Sequence, residues 1–188
     1  MKIYRPLGID GFEQCQPVDP GGLHAIRQGA NGQPRAGTWQ PLPVEVVRED
    51  DDGGSFDESD APWLGSYALI LRRTAVEALT PILGAHGEFL PLACDDAELW
   101  IFNCTRVLEA LDDANAVVER FPNGGLMRVA TYAFVSSVIE DVDAFKITGL
   151  KNSATFVSER VVDTWRSAGL RGLEFQQVWS GGSTTTLG

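Results

Sequence analysis

The chain has 188 residues, 44% of them apolar, and its 26 acidic against 15 basic side chains give a formal charge of −11. That length suits one domain that buries about two-thirds of its unfolded surface, and no apolar run approaches the ~20 residues that would span a bilayer. Phosphates would be repelled over a Debye length of about 8–10 Å, which disfavours nucleic acid as a direct ligand and favours a basic partner.

The opening MKIYRPLGIDGFEQ lacks the apolar core of a secretory signal. Cys15, Cys94 and Cys104 form no close pair, so the expectation is reduced thiols in a cytoplasmic protein. Lys2–Leu7 reads as a first strand. Residues 8–38 are rich in Gly, Pro and polar side chains and predict loops with at most one short element. Val44–Arg48 alternates as a strand, and Pro41 and Pro43 just before it suit an edge position. Glu49–Asp60 holds seven of the eleven acids in residues 1–61 and reads as an acidic, glycine-containing loop.

Ala68–Leu92 predicts a strand, a helix and a second strand, with Pro81 ending or kinking the helix near Thr80. Leu99–Phe102 is a continuous apolar run, as in a strand buried on both faces. Val107, Leu108 and Leu111 share a helical face, which predicts a short helix over Thr105–Leu111. Asn123-Gly124 between Ala116–Phe121 and Leu126–Val135 signals a hairpin. Ala144–Ile147 adds a strand.

Thr155–Val178 then gives the clearest unit in the chain. Val161, Val162, Trp165 and Ala168 fall on one helical face, Ser158 is placed to cap the helix, and Gly169 suits a left-handed stop. Leu173, Phe175 and Val178 follow as a strand. This unit lies over Ala68–Leu92 at a constant offset of 86 residues, with Ile70/Phe156, Leu71/Val157, Ala75/Val161, Val76/Val162 and Leu79/Trp165 matched. Either an internal repeat or convergence on a common pattern explains the likeness.

The elements predict an α+β fold, a mixed and largely antiparallel sheet with a few helices packed on one side. Residues 1–179 read as a single domain, and Ser180–Gly188 as a flexible tail.

The residue types needed for chemistry do not assemble in the sequence. His24 and His86 are far apart, no Cys-x-x-Cys occurs, and Asp50-Asp51-Asp52-Gly53-Gly54 lacks the spacing of a calcium loop. Cys104 and His86 are the one plausible nucleophile–base pair, and nothing local brings them together. Glycine pairs at 21–22, 53–54 and 124–125 lack the lysine of a phosphate loop. The expectation is therefore no catalytic, cofactor-binding or metal residues. Among the five tryptophans, Trp100 and Trp165 sit in core patterns. Trp63, beside the acidic loop, is either a binding anchor or a wedge between loop and core.

Several segments together resemble a known family. Pro62-Trp63, the run Phe102-Asn103-Cys104 leading to Leu108-Glu109-Ala110-Leu111-Asp112, and the ending Phe156-Val157-Ser158-Glu159-Arg160…Gly169-Leu170-Arg171-Gly172-Leu173-Glu174-Phe175 look like the eleventh catalogued class of bacterial polymorphic-toxin immunity proteins. The resemblance spans roughly residues 62–178 and leaves residues 1–61, where members of that family vary, uncovered.

The resemblance implies a cytoplasmic, non-enzymatic protein that binds and neutralises a cognate secreted toxin, the C-terminal domain of an effector with a basic surface. It implies no catalytic motif; no cofactor is expected, and the acidic charge and the lack of a long apolar run predict no direct nucleic-acid and no membrane partner. The expected partner-binding residues are Asp50, Asp51, Asp52, Asp57, Glu58, Asp60 and Trp63. The rival readings are a non-inhibitory effector chaperone or adaptor, and an enzyme that reverses the toxin's modification.

Overall fold

The computed structural model describes residues 1–150, 153–181 and 183–186. Its elements in chain order are β1 (Lys2–Gly8), β2 (Gln14–Pro17), α1 (Gly22–Gly29), β3 (Val44–Val47), β4 (Leu69–Arg72), α2 (Arg73–Leu83), β5 (Gly87–Pro91), β6 (Leu99–Cys104), β7 (Val107–Leu108), β8 (Val117–Arg120), β9 (Leu126–Tyr132), α3 (Ser136–Ile139), β10 (Ala144–Ile147), β11 (Phe156–Ser158), α4 (Glu159–Ser167), β12 (Leu173–Ser180) and β13 (Ser183–Thr186). The fold is α+β. Its strands form three sheets, in the orders β7-β10-β11-β1-β12-β13-β9-β8, β2-β3 and β4-β6-β5. All strand pairings are antiparallel except β7 with β10, so the large sheet is mixed.

The two strand–helix–strand units share one topology. In the first, β4 and β5 flank the antiparallel β6; in the second, β11 and β12 flank the antiparallel β1. Each helix therefore joins two strands of the same direction with a third inserted between them, a split βαβ unit.

The cores follow the same symmetry. α2 and α4 pack on each other, and Leu71, Ala75 and Leu79 share one apolar cluster with their counterparts Val157, Val161 and Trp165. The alternate strand residues point away from that shared cluster, Ile70 into one flanking core and Phe156 into another. Phe102 and Phe156 are fully buried, each contributing about 2–3 kcal/mol by removal of apolar surface from water.

Several local expectations are corrected. Residues 8–38 hold two elements: β2 pairs with β3 although it brings a single buried apolar residue, Cys15, and α1 is a two-turn helix that buries Ile26. The stretch Thr105–Leu111 is not helical. Val107 and Leu108 run parallel to β10, where the Lys146 N–H donates to Arg106 and the Thr148 N–H to Leu108, so sheet pairing overrides the local helical pattern. Pro81 stays inside α2, which continues to Leu83; it sits on the exposed side, late in the helix.

Ser158 stands at the N-cap of α4 without capping it. Its hydroxyl donates instead to Asp143 Oδ1 at 2.6 Å. The Asn123-Gly124 hairpin forms, with Gly124 at φ 81°. Of the Ser180–Gly188 segment, Ser183–Thr186 lies between β12 and β9, and residues 182, 187 and 188 fall outside the described residues.

Candidate functional site

The acidic segment is a small hairpin that Asp50 organises. The Asp50 carboxylate accepts the N–H groups of Asp52 (3.0 Å) and Gly54 (2.7 Å), and the Asp50 N–H donates to the Gly54 carbonyl at 2.9 Å. Gly53 supplies the positive φ of 83° that this turn needs. Asp51 and Asp52 stand exposed at its tip. The chain then runs back beside residues 9–13: the Asp57 N–H donates to Gly11 and the Glu13 N–H to the Asp57 carbonyl, which leaves the side chains of Asp57 and Glu58 in solvent.

A buried charge network fixes the base of this loop. Glu13 is only 4% exposed, and its carboxylate accepts from Arg72 Nη2 (2.8 Å), Arg48 Nε (3.1 Å) and the Ser59 N–H (3.1 Å). Arg72 Nε also donates to the Ser59 carbonyl at 2.9 Å. Arg48 reaches on to Asp96 in the β5–β6 turn. A buried carboxylate held this way is satisfied on several sides, so removing one partner strands the others.

Asp60 and Trp63 are placed differently from the other five expected residues. The half-buried Asp60 carboxylate accepts from Thr74 Oγ1 and from the Arg171 N–H. Trp63 is half-buried against the cluster shared by α2 and α4, its N–H donates to the Glu13 carbonyl, and its ring lies over Gly8. A Cβ added at Gly8 would come within 2.5 Å of the Trp63 ring. Asp50, Asp51, Asp52, Asp57 and Glu58 thus form the solvent face of the loop, and Asp60 and Trp63 its seat.

The segment Arg171-Gly172 completes that seat from the far end of the chain. Arg171 Nη2 donates to the Glu58 carbonyl, and the Gly172 carbonyl accepts the Ile9 N–H. Gly172 has φ 98°, and a Cβ there would lie 1.8 Å from Ser59 Oγ. Only glycine fits between the loop and this turn.

Asn103 does equivalent work for residues 31–36. Fully buried, it accepts the Gly32 N–H and donates to the Gln33 carbonyl and to Glu88. Burial alone would raise the Glu88 carboxyl, but the N–H groups of Arg35 and Ala36, with the Asn103 amide, hold it below the usual glutamate range.

The residues considered for catalysis occupy structural roles. Burial pushes the Cys104 thiol up to about 11, and its sulfur faces the Arg106 carbonyl. His86 accepts the Asp143 N–H at Nε2, and burial pulls its pKa below the usual value. Ser158 donates to the Asp143 carboxylate, not to a histidine. Among the described residues Cys104 and His86 share no hydrogen bond, each having the partner just named. Among the described residues no three His, Cys, Asp or Glu side chains gather as a metal site, and no helix is long and apolar enough to cross a membrane.

Residues 94–180 match the family model described as Immunity protein family (Imm11), the class to which the quoted segments pointed. The matched stretch contains Phe102-Asn103-Cys104, Leu108–Asp112 and the whole second strand–helix–strand unit. The acidic loop, Trp63 and the first unit precede it. That family is one of immunity proteins, whose counterparts are toxins. No curated protein matches the chain.

Proposed function

We propose that the protein is an immunity protein that binds a cognate secreted toxin one to one and covers its active or substrate-binding surface. The toxin surface it fits is basic, as in a domain that handles nucleic acid or a phosphorylated cofactor. The contact face comprises Asp50, Asp51, Asp52, Asp57 and Glu58, with Asp60 and Trp63 fixing the loop from behind. The reading takes the protein to be a non-enzymatic, cytoplasmic inhibitor.

One observation supports it most: five exposed carboxylates sit on a loop whose base is fixed by the buried Glu13–Arg72 network. A rigid charged loop binds with less ordering cost than a mobile one, and its field speeds encounter with a basic partner.

The test is co-expression with the product of the adjoining upstream gene, the expected source of the toxin, followed by association kinetics at two salt concentrations. The chain should restore growth and co-purify at a 1:1 ratio. Replacing the five acids by Asn or Gln should slow association by about tenfold or more at low salt and flatten its salt dependence. Unchanged kinetics would remove the loop from the mechanism. Binding without rescue of growth would indicate an adaptor, and rescue at far below stoichiometric amounts an enzyme.

A further inference from the structure

One cleft of this acidic protein has the opposite character to its loop. It lies between α1 and the β7–β10 edge, encloses about 540 Å³, and is walled by His24, Arg27, Val107, Lys146, Ile147 and Leu150 among others. No carboxylate lines it among the described residues. That volume is in the range of small-molecule sites, and none of its lining residues belongs to the acidic loop.

Lys146 sets its chemistry. It is 5% exposed, and its ammonium donates to two neutral acceptors, the carbonyls of Ala30 and Tyr67, both at 2.8 Å. An ammonium has three donors, and the third meets no acceptor among the described residues. Burial lowers Lys146 to about 8, so it is still largely charged at neutral pH, and the neighbouring Cys104 thiol is protonated there. A buried cation balanced by no anion is costly. Arg27 adds a second cation, lying 5.4 Å over the ring of the same Tyr67. Beside the Lys146 head, its strand neighbour Val107 is 39% exposed and the partly buried Leu150 lines the same cleft, so the cation borders an apolar surface, while Ile147 points into the core on the other sheet face.

We propose that this cleft binds a small organic anion, a carboxylate or phosphate head on an apolar body, with the head held by Lys146 and Arg27 and the body against Val107 and Leu150. The site goes beyond toxin binding and stands or falls separately from it. An apolar body matters because a bare ion would leave Val107 and Leu150 uncovered.

The full chain is titrated calorimetrically with phenyl phosphate, benzoate and inorganic phosphate. One saturable site is expected for an aromatic anion, with inorganic phosphate at least about tenfold weaker. The stronger of phenyl phosphate and benzoate identifies the preferred head group. Arg27→Glu and His24→Glu, both at exposed positions, should weaken binding about tenfold or more while circular dichroism shows an unchanged fold. Lys146→Met should abolish binding, and the two surface variants keep the test decisive should that variant fail to fold. Asp51→Asn with Asp52→Asn should leave anion binding unchanged, which separates this site from the acidic loop. Absence of saturable binding below about 10 mM, or equal affinity in the Arg27 and His24 variants, overturns the proposal.

Discussion

Asp60 and Arg171 hold each other twice: the Asp60 N–H donates to the Arg171 carbonyl at 3.0 Å, and the Arg171 N–H donates to the Asp60 carboxylate at 2.8 Å. This exchange joins the end of the acidic loop to the Gly-Leu-Arg-Gly segment, 111 residues later. Asp60 therefore does different work from Asp51 and Asp52, although all three belong to one acidic run. Asp60→Ala leaves the Arg171 N–H and the Thr74 hydroxyl without their acceptor and should cost about 1–3 kcal/mol. Asp51→Ala, at the exposed tip, should change stability by less than about 0.5 kcal/mol. Urea unfolding of the two variants measures the difference.

Gly172 makes the same seat sensitive to a single methyl group. Its φ of 98° disfavours any L side chain, and the space a Cβ needs is occupied by Ser59. Gly172→Ala should lose about 2–4 kcal/mol, more than the usual penalty for glycine-to-alanine at a strained position alone. Ser59→Gly in the same chain removes the obstructing hydroxymethyl and should recover part of that loss. A double-mutant cycle on thermal stability reads the coupling directly.

Breaking the hub tests whether the loop owes its rigidity to it. Glu13→Gln keeps the shape and removes the charge that Arg48 and Arg72 share, leaving a part-buried Arg72 without its counter-ion. The expected loss is about 3 kcal/mol, in the range found when one member of a buried pair is removed. Amide exchange at Ser59, whose N–H donates to Glu13, should accelerate along with it, whereas exchange in α4 should track only the global loss.

The sequence carried the local units better than their assembly. Periodicity alone predicts both strand–helix–strand units, because Leu71, Ala75, Leu79 and Val157, Val161, Trp165 all face one buried cluster. The insertion of β6 into the first unit and β1 into the second was not legible, since each inserted strand lies outside the segment it divides. The inserted strand follows the first unit in the chain and precedes the second, so the 86-residue offset matches the strand–helix–strand segments alone. The helix expected at Thr105–Leu111 yielded to pairing with β10, a contact that no local window contains.

Exposure of Asp50, Asp51, Asp52, Asp57 and Glu58 followed from composition. The seat beneath them did not, because Glu13, Arg72, Asp60 and Arg171 are ordinary charged residues until folding brings them together. The cleft around Lys146 was missed for a related reason. Lys146 sits in an apolar strand pattern at Ala144–Ile147, and a lone lysine there reads as an outward-facing residue, yet all four side chains of β10 are buried.

That burial gives the protein an unusual alkaline profile. Lys146 lies near 8 in the folded chain against 10.5 when exposed, so between those values the unfolded state holds a proton that the folded state has released. Stability therefore rises with pH from about 8, by at most about 1.4 kcal/mol per unit. The buried thiols act in the opposite sense. Cys104 and Cys15 move from 9.0 up to about 11 and about 12, so above pH 9 the unfolded state loses protons that the folded state keeps, and stability falls. Two thiols outweigh one amine, which places the maximum near pH 9. Urea midpoints from pH 7 to 10 in a reducing buffer should show that rise and fall. Lys146→Met should erase the rise and leave the fall, while Cys104→Ala should flatten the fall. A midpoint that declines steadily from pH 7 would show that Lys146 is not held as an uncompensated buried cation.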